Sequence, residues 1–314
     1  MQRRNFMGQL TAGVTGAALA ACGGGHADEA ASTRKPTFVF VHGAWHGGWC
    51  WSETVRLLAL QGFPSVALDL PCHAAQARFP ASYLARPQDM AALSTEVSPL
   101  AALTLNDFRD HTLAVVRGLV AAGAGPVILV GHSLGGATLS AVAEAEPTLI
   151  RRLVYLTAFV PVALPTVLGY LTRDDFVASE VPPLFVADPA VVGASRLNVD
   201  ATDAPYRAGL RSAFYHDASD SAFAAVANLL TPDEPLQAFT TPVNATAARW
   251  GKVPRSFIRC TADHAIPIAV QDRMIAEADA FTPGNAFVQK TLGTSHSPFI
   301  TAPADVVAAL VASV

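Results

Sequence analysis

From Thr37 onward the apolar residues fall into short, nearly unbroken runs separated by stretches with helical spacing. The runs Thr37–His42, Ser65–Leu70, Val127–Val130, Leu153–Phe159, Ser256–Cys260 and Ala286–Leu292 are predicted strands, each continuous enough to be buried on both faces. Trp49–Gln61, Leu103–Ala121, the small-residue stretch Ala137–Ala145 and a segment from Ala302 are predicted helices. Strand and helix alternate, which implies an α/β fold: a mostly parallel sheet of about six strands with helices on both faces.

Two stretches break the alternation. Pro71–Ala102 reads as a long loop, and a loop of that length in a compact domain usually carries a function. Pro161–Arg249 is punctuated by Pro182-Pro183, Pro189, Pro205, Pro232 and Pro235, with short helical pieces at Ala204–Phe214 and Ser221–Leu230. The expected organisation is a core of residues 37–161 and 250–314 with a largely helical cap, 162–249, inserted between two core strands. The cap aromatics and Leu184, namely Phe176, Phe185, Phe214, Tyr215 and Phe223, suit a small to medium apolar ligand, although core packing accounts for most such residues.

The first residues follow a different pattern. Arg3-Arg4 precedes a weakly apolar stretch, Leu10–Ala21, too short and glycine-rich to span a bilayer. Residues 1–21 therefore read as a twin-arginine export signal. Leu19-Ala20-Ala21-Cys22 has the form of a bacterial lipobox, with residues 22–36 as a flexible tether, so the expectation is an envelope lipoprotein attached to a membrane through lipidated Cys22. A plain signal peptide with an incidental cysteine is the alternative. Export would permit a disulfide, for which Cys50 and Cys72 are the candidate pair; three free thiols at Cys50, Cys72 and Cys260 are the other reading.

Composition then narrows the chemistry. The chain of 314 residues is 15% charged with a net charge of −4, which leaves no basic footprint for nucleic acid. Its most specific motif is Gly131-His132-Ser133-Leu134-Gly135, set directly after the apolar run Val127–Val130 and before a helix. A strand-turn-helix of this form holds the serine exposed at the carboxyl edge of a sheet, with the Leu134 N–H facing a developing oxyanion.

A serine hydroxyl needs a histidine to take its proton and an acid to orient that histidine. Asp263 follows the strand Ser256–Cys260, and His296 follows the strand Ala286–Leu292, so both belong at the same edge as Ser133. Asp263 could instead cap the helix starting near Ile266, a common use of Asp before Pro. His264 is a rival to His296, but its place beside Asp263 on one loop makes an in-line arrangement difficult. The turn His42-Gly43-Ala44-Trp45-His46-Gly47-Gly48-Trp49 offers a second N–H, that of Ala44; His42 and His46 read as loop hydrogen-bonding residues.

With these residues in place, the chain resembles the α/β-hydrolase superfamily, in the branch of plant methylesterases, hydroxynitrile lyases and related bacterial esterases. The resemblance runs from Phe38 to the C-terminus and rests on the His42–Trp49 run, the Gly131–Gly135 elbow, Cys260–Pro267 and Gly293–His296. It implies a Ser133–Asp263–His296 triad, an oxyanion hole from the N–H groups of Ala44 and Leu134, and a serine carboxylic ester hydrolase acting through an acyl-enzyme. A small-molecule ester is the implied substrate, with no cofactor, no metal and no protein partner. The lyase side of the branch uses a lysine and a threonine where this chain has Ser297 and Ala44, which disfavours cyanohydrin cleavage. A lactonase or lyase on the same triad, or a tethered binding protein without turnover, are the other readings.

Overall fold

In the computed structural model, which describes residues 34–314, the apolar run Phe38–Val41 forms β1 and is wholly buried. The other strands are β2 (Ser65–Ala67), β3 (Val127–Ser133), β4 (Ile150–Ala158), β5 (Ala194–Arg196), β6 (Asp233–Pro235), β7 (Arg255–Cys260) and β8 (Val288–Leu292). Six of them make one sheet in the order β2-β1-β3-β4-β7-β8, and every pairing in it is parallel. Side chains alternate across such a sheet. Val39, Val41 and Leu129 accordingly enter one core cluster, and Phe38, Phe40, Ile128 and Val130 the other.

Helices Ser52–Leu60 and Pro303–Val311 close the second cluster with Leu58, Val306 and Leu310. Helices Leu105–Leu119, Gly135–Ala145 and Ile268–Phe281 close the first with Phe108, Leu139 and Met274. The α/β architecture expected from the apolar runs is thus present. Its central strands are longer than their apolar runs: β3 continues through Gly131 and His132 to Ser133, and β4 begins at Ile150. Ladder hydrogen bonding sets those ends, whatever the hydropathy of the side chains.

Between β4 and β7 the chain leaves the sheet, and here the patterning missed an element. β5 and β6 pair antiparallel, with Arg196 opposite Asp233. The ribbon is polar yet buried, because Arg196 Nε and Nη2 donate to the two Asp233 carboxylate oxygens at 2.7 and 2.8 Å. Three-residue polar segments give no hydrophobic signal; only their partners make burial tolerable.

The Pro71–Ala102 stretch also differs from a plain loop, since it contains helices Ala81–Leu84 and Met90–Thr95. It packs on the ribbon, where Arg196 Nη1 donates to the carbonyls of Leu93 and Glu96 at 2.6 and 2.8 Å.

The candidate Cys50–Cys72 disulfide is not formed: Cys50, Cys72 and Cys260 are free thiols. Cys50 is turned into the aromatic cluster with Phe40 and Trp51. Burial pushes its thiol well above the ordinary cysteine range. The expected export signal (residues 1–21), the expected lipidation site Cys22 and the part of the expected tether up to residue 33 lie outside the described residues. Among the described residues, no helix is long and apolar enough to cross a membrane.

Candidate active site

Ser133 ends β3 with φ +53°, in the left-handed region, immediately before the helix Gly135–Ala145. That backbone costs a non-glycine residue on the order of 1–3 kcal/mol. The flanking glycines make the turn possible by letting backbones approach. A Cβ on Gly131 would lie 2.6 Å from Leu139 Cδ1, and one on Gly135 would lie 2.6 Å from the His42 carbonyl oxygen. The helix start is therefore pressed against the turn after β1, which brings Ala44 beside Ser133 and Leu134 on the wall of one cavity.

Asp263 and His296 reach the same place from the ends of β7 and β8. His296 Nδ1–H donates to Asp263 Oδ2 at 2.7 Å, and both side chains are almost fully buried. This bond leaves Nε2 as the basic nitrogen of His296. Asp263 Oδ1 meanwhile accepts the N–H groups of Ala265 and Ile266 at 2.7 and 2.8 Å. Asp263 does not cap the helix, which begins at Ile268 with Pro267 as its N-cap and no side-chain cap; one oxygen holds the loop before it while the other holds the histidine. The rival His264 lies 3.3 Å from Glu180 Oε1 and stacks on His216, with its side chain 40% exposed.

Three further residues, the buried Thr157 and His132 and the exposed Asp217, hold this set in place, and none of these roles was read from the sequence. Thr157, at φ +37° near the end of β4, donates its hydroxyl to Asp263 Oδ2. His132 Nε2–H donates to the His296 carbonyl at 2.8 Å, and Asp217 Oδ2 accepts the Ser295 N–H at 2.9 Å. Such partners come together only across strands and loops distant in sequence.

The cavity has a volume of about 250 Å³, just below the roughly 300–1,000 Å³ of sites for drug-sized ligands. Phe159, Phe176, Phe185, Phe214 and Phe239 give it an apolar wall; its polar side chains are Ser133, Thr172, Ser195 and His296. No Lys, Arg, Asp or Glu lines it among the described residues. Of the residues expected from the sequence to suit an apolar ligand, Phe176, Phe185 and Phe214 line the cavity, whereas Leu184, Tyr215 and Phe223 belong only to the buried core. A more open groove of about 620 Å³ between Arg86, Asn198 and Tyr206 has neither Ser133 nor His296 in its walls. Among the described residues, no cluster of three or more His, Cys, Asp or Glu side chains could hold a metal ion.

Residues 38–310 match the alpha/beta hydrolase family. The chain belongs to that family. Within it, this α/β-hydrolase is 25% identical over 279 residues to putative methylesterase 15, chloroplastic, of Arabidopsis thaliana, covering 88% of the chain and 55% of the relative. It is 37% identical over 124 residues to a carbendazim hydrolyzing esterase of Nocardioides sp. (strain SG-4G), covering 40% and 42%. The chain spans about half the length of the curated relatives it matches. The crystal structure of polyneuridine aldehyde esterase aligns over 88% of the chain and 98% of its own length, with TM-score 0.64 and 19% identity. A pyrethroid hydrolase from Sphingobium faniae JZ-2 aligns over 88% and 96%, with TM-score 0.66 and 22% identity. At those identities the likeness shows the fold.

The turn after β1 in this α/β-hydrolase is built on neutral histidines. His42 Nδ1–H donates to the Gly43 carbonyl at 2.8 Å, and its Nε2 accepts the Leu70 N–H at 3.0 Å. His46 Nδ1–H donates to the Ala44 carbonyl at 2.7 Å, and its Nε2 accepts the Tyr215 hydroxyl at 2.6 Å. Burial keeps both rings uncharged, pushing His46 down to about 4 and His42 well below the ordinary histidine range. Burial likewise lowers His132. The hydrogen-bonding role read for His42 and His46 is the one they have.

Proposed function

We propose that this protein is a serine carboxylic ester hydrolase for small to medium, uncharged, apolar esters. The observation that carries the reading is the cavity shared by Ser133 and His296, with His296 Nδ1 bound to Asp263 at 2.7 Å. In the proposed mechanism Ser133 Oγ attacks the ester carbonyl while His296 Nε2 takes its proton. The N–H groups of Ala44 and Leu134 receive the oxyanion, and Asp263 stabilises the imidazolium. His296 then protonates the departing alcohol. Water, deprotonated by His296, attacks the Ser133 acyl ester, and the carboxylic acid leaves as the serine regains its proton.

The apolar wall and absence of a lining charge favour substrates that stay neutral in both acyl and alcohol parts, because an ionised group would be desolvated there without a partner. The esterase names of several relatives support the same reaction class.

The test is hydrolysis of p-nitrophenyl acetate and butyrate by the wild type and by Ser133→Ala. The expected loss in kcat is roughly 10⁴- to 10⁶-fold. Retained turnover in the variant would reject the mechanism.

A further inference from the structure

Both peptide groups that flank Ala44 are gripped. In the Gly43–Ala44 peptide, the carbonyl accepts His42 Nδ1–H at 2.8 Å and the His46 N–H at 3.4 Å. The N–H of a trans peptide points opposite to its carbonyl, so the Ala44 N–H is turned away from His42. In the Ala44–Trp45 peptide, the carbonyl accepts His46 Nδ1–H at 2.7 Å, and the Trp45 N–H donates to Glu234 Oε2 at 2.9 Å.

Glu234 comes from β6, 189 positions away in the chain, and is 1% exposed. The same oxygen accepts His73 Nε2–H at 2.9 Å. Trp45 itself has φ +61°, a left-handed conformation that a bulky residue keeps only under constraint. Its other restraints come from β5 and from the segment just before β6: Trp45 Nε1–H donates to the Ser195 carbonyl at 2.9 Å, and the Trp45 carbonyl accepts the Thr231 N–H at 2.9 Å.

We propose that Glu234 is a positioning residue for the oxyanion site: its Oε2 holds Trp45 left-handed, and through that peptide it aims the Ala44 N–H. The inference rests on the reading of Ala44 as an oxyanion donor. It gives the buried polar ribbon a purpose that an apolar one could not serve, since only an acceptor can hold a backbone N–H.

The test compares Glu234→Leu, which removes the acceptor, with Glu234→Gln, which keeps an oxygen for both donors. In p-nitrophenyl butyrate hydrolysis, Glu234→Leu is expected to lose about ten- to a hundred-fold in kcat with KM within about two-fold. Its affinity for an alkyl trifluoromethyl ketone, which forms a hemiketal oxyanion on Ser133, should fall in parallel. Glu234→Gln should stay within about three-fold of wild type on both measures. Should Glu234→Leu not fold, Glu234→Asp, which withdraws the oxygen by one methylene, should show the same paired loss. Wild-type kcat in the acceptor-removing or shortened variant, equal losses in Gln and Leu, or a kcat loss without a loss of ketone affinity would each overturn the proposal. Ser133→Ala run alongside separates the two failures: turnover surviving there rejects the esterase reading itself, whereas these outcomes beside an inactive Ser133→Ala reject only the role of Glu234.

Discussion

Asp263 spends both carboxylate oxygens, Oδ1 on two backbone N–H groups and Oδ2 on His296 and Thr157. This arrangement fixes the carboxyl plane before His296 is considered, so the histidine meets an acceptor already in place. Thr157 is the least expected member, a β-branched residue at positive φ whose hydroxyl is committed to a buried carboxylate. Thr157→Val removes that donor without changing side-chain bulk. A hydrogen bond to a charged group contributes about 1.5–3 kcal/mol, so urea denaturation should register a loss of that order. Because three donors to Asp263 remain, kcat should fall far less than in Ser133→Ala; an equal fall would mean that Thr157 does more than hold the acid.

At the level of elements, the contact between the helix Gly135–Ala145 and the β1 turn decides whether the elbow closes. A Cβ at Gly135 would meet two carbonyl oxygens, 2.6 Å from that of His42 and 2.9 Å from that of Val41, and backbone cannot rotate aside as a side chain would. Gly135→Ala is therefore expected to lose about 1–3 kcal/mol or more in urea unfolding, and to lose activity with it. Gly118 is the control: it is exposed in the helix Leu105–Leu119, and a Cβ there meets nothing within 4 Å. Gly118→Ala should stabilise the protein by up to about 1 kcal/mol. The same change at two helical glycines thus has opposite expected signs. Both glycines are plain in the sequence, and so was the elbow motif, but which glycine has a backbone behind it depends on strand order.

For the whole molecule, buried histidines set the response to acid. His42, His46 and His132 are depressed by burial below the ordinary value of 6.5, with His46 at about 4. Below about pH 6.5 the unfolded chain takes up protons at these positions that the folded chain refuses, so stability falls as pH falls. For His46 alone the window runs from about 6.5 down to about 4, a difference on the order of 3 kcal/mol. His73 acts in the opposite sense: burial lowers it, but the Glu234 carboxylate and its hydrogen bonds outweigh that and raise it. Its contribution is fully present below about pH 6.5 and is lost as pH rises through the folded value. Three lowered groups against one raised group predict a net loss of stability on acidification. Urea midpoints measured from pH 7.5 to 4.5 should decline; a flat profile would contradict the neutral state of these rings.

The sequence by itself determined the core. Continuous apolar runs separated by helical segments favour a parallel sheet covered on both faces. Strands β1, β3 and most of β4 and β7 are buried in this way, whereas the edge strands depart from the expectation, β2 being half-buried and β8 largely exposed. The sequence also put Ser133 at the end of one core strand and Asp263 and His296 just past the ends of two others. Parallel strands end on one edge, where His296 meets Asp263 and walls one cavity with Ser133. Only the tertiary structure decided what steadies them. Glu234, His73 and Thr157 are buried polar residues whose burial is tolerable only against partners far away in the chain, and Asp217 reaches the Ser295 N–H from the surface. The ribbon of β5 and β6, the long stretch before Leu105 and the turn after β1 are joined by such pairs, and pairing of that kind leaves no trace in local hydropathy.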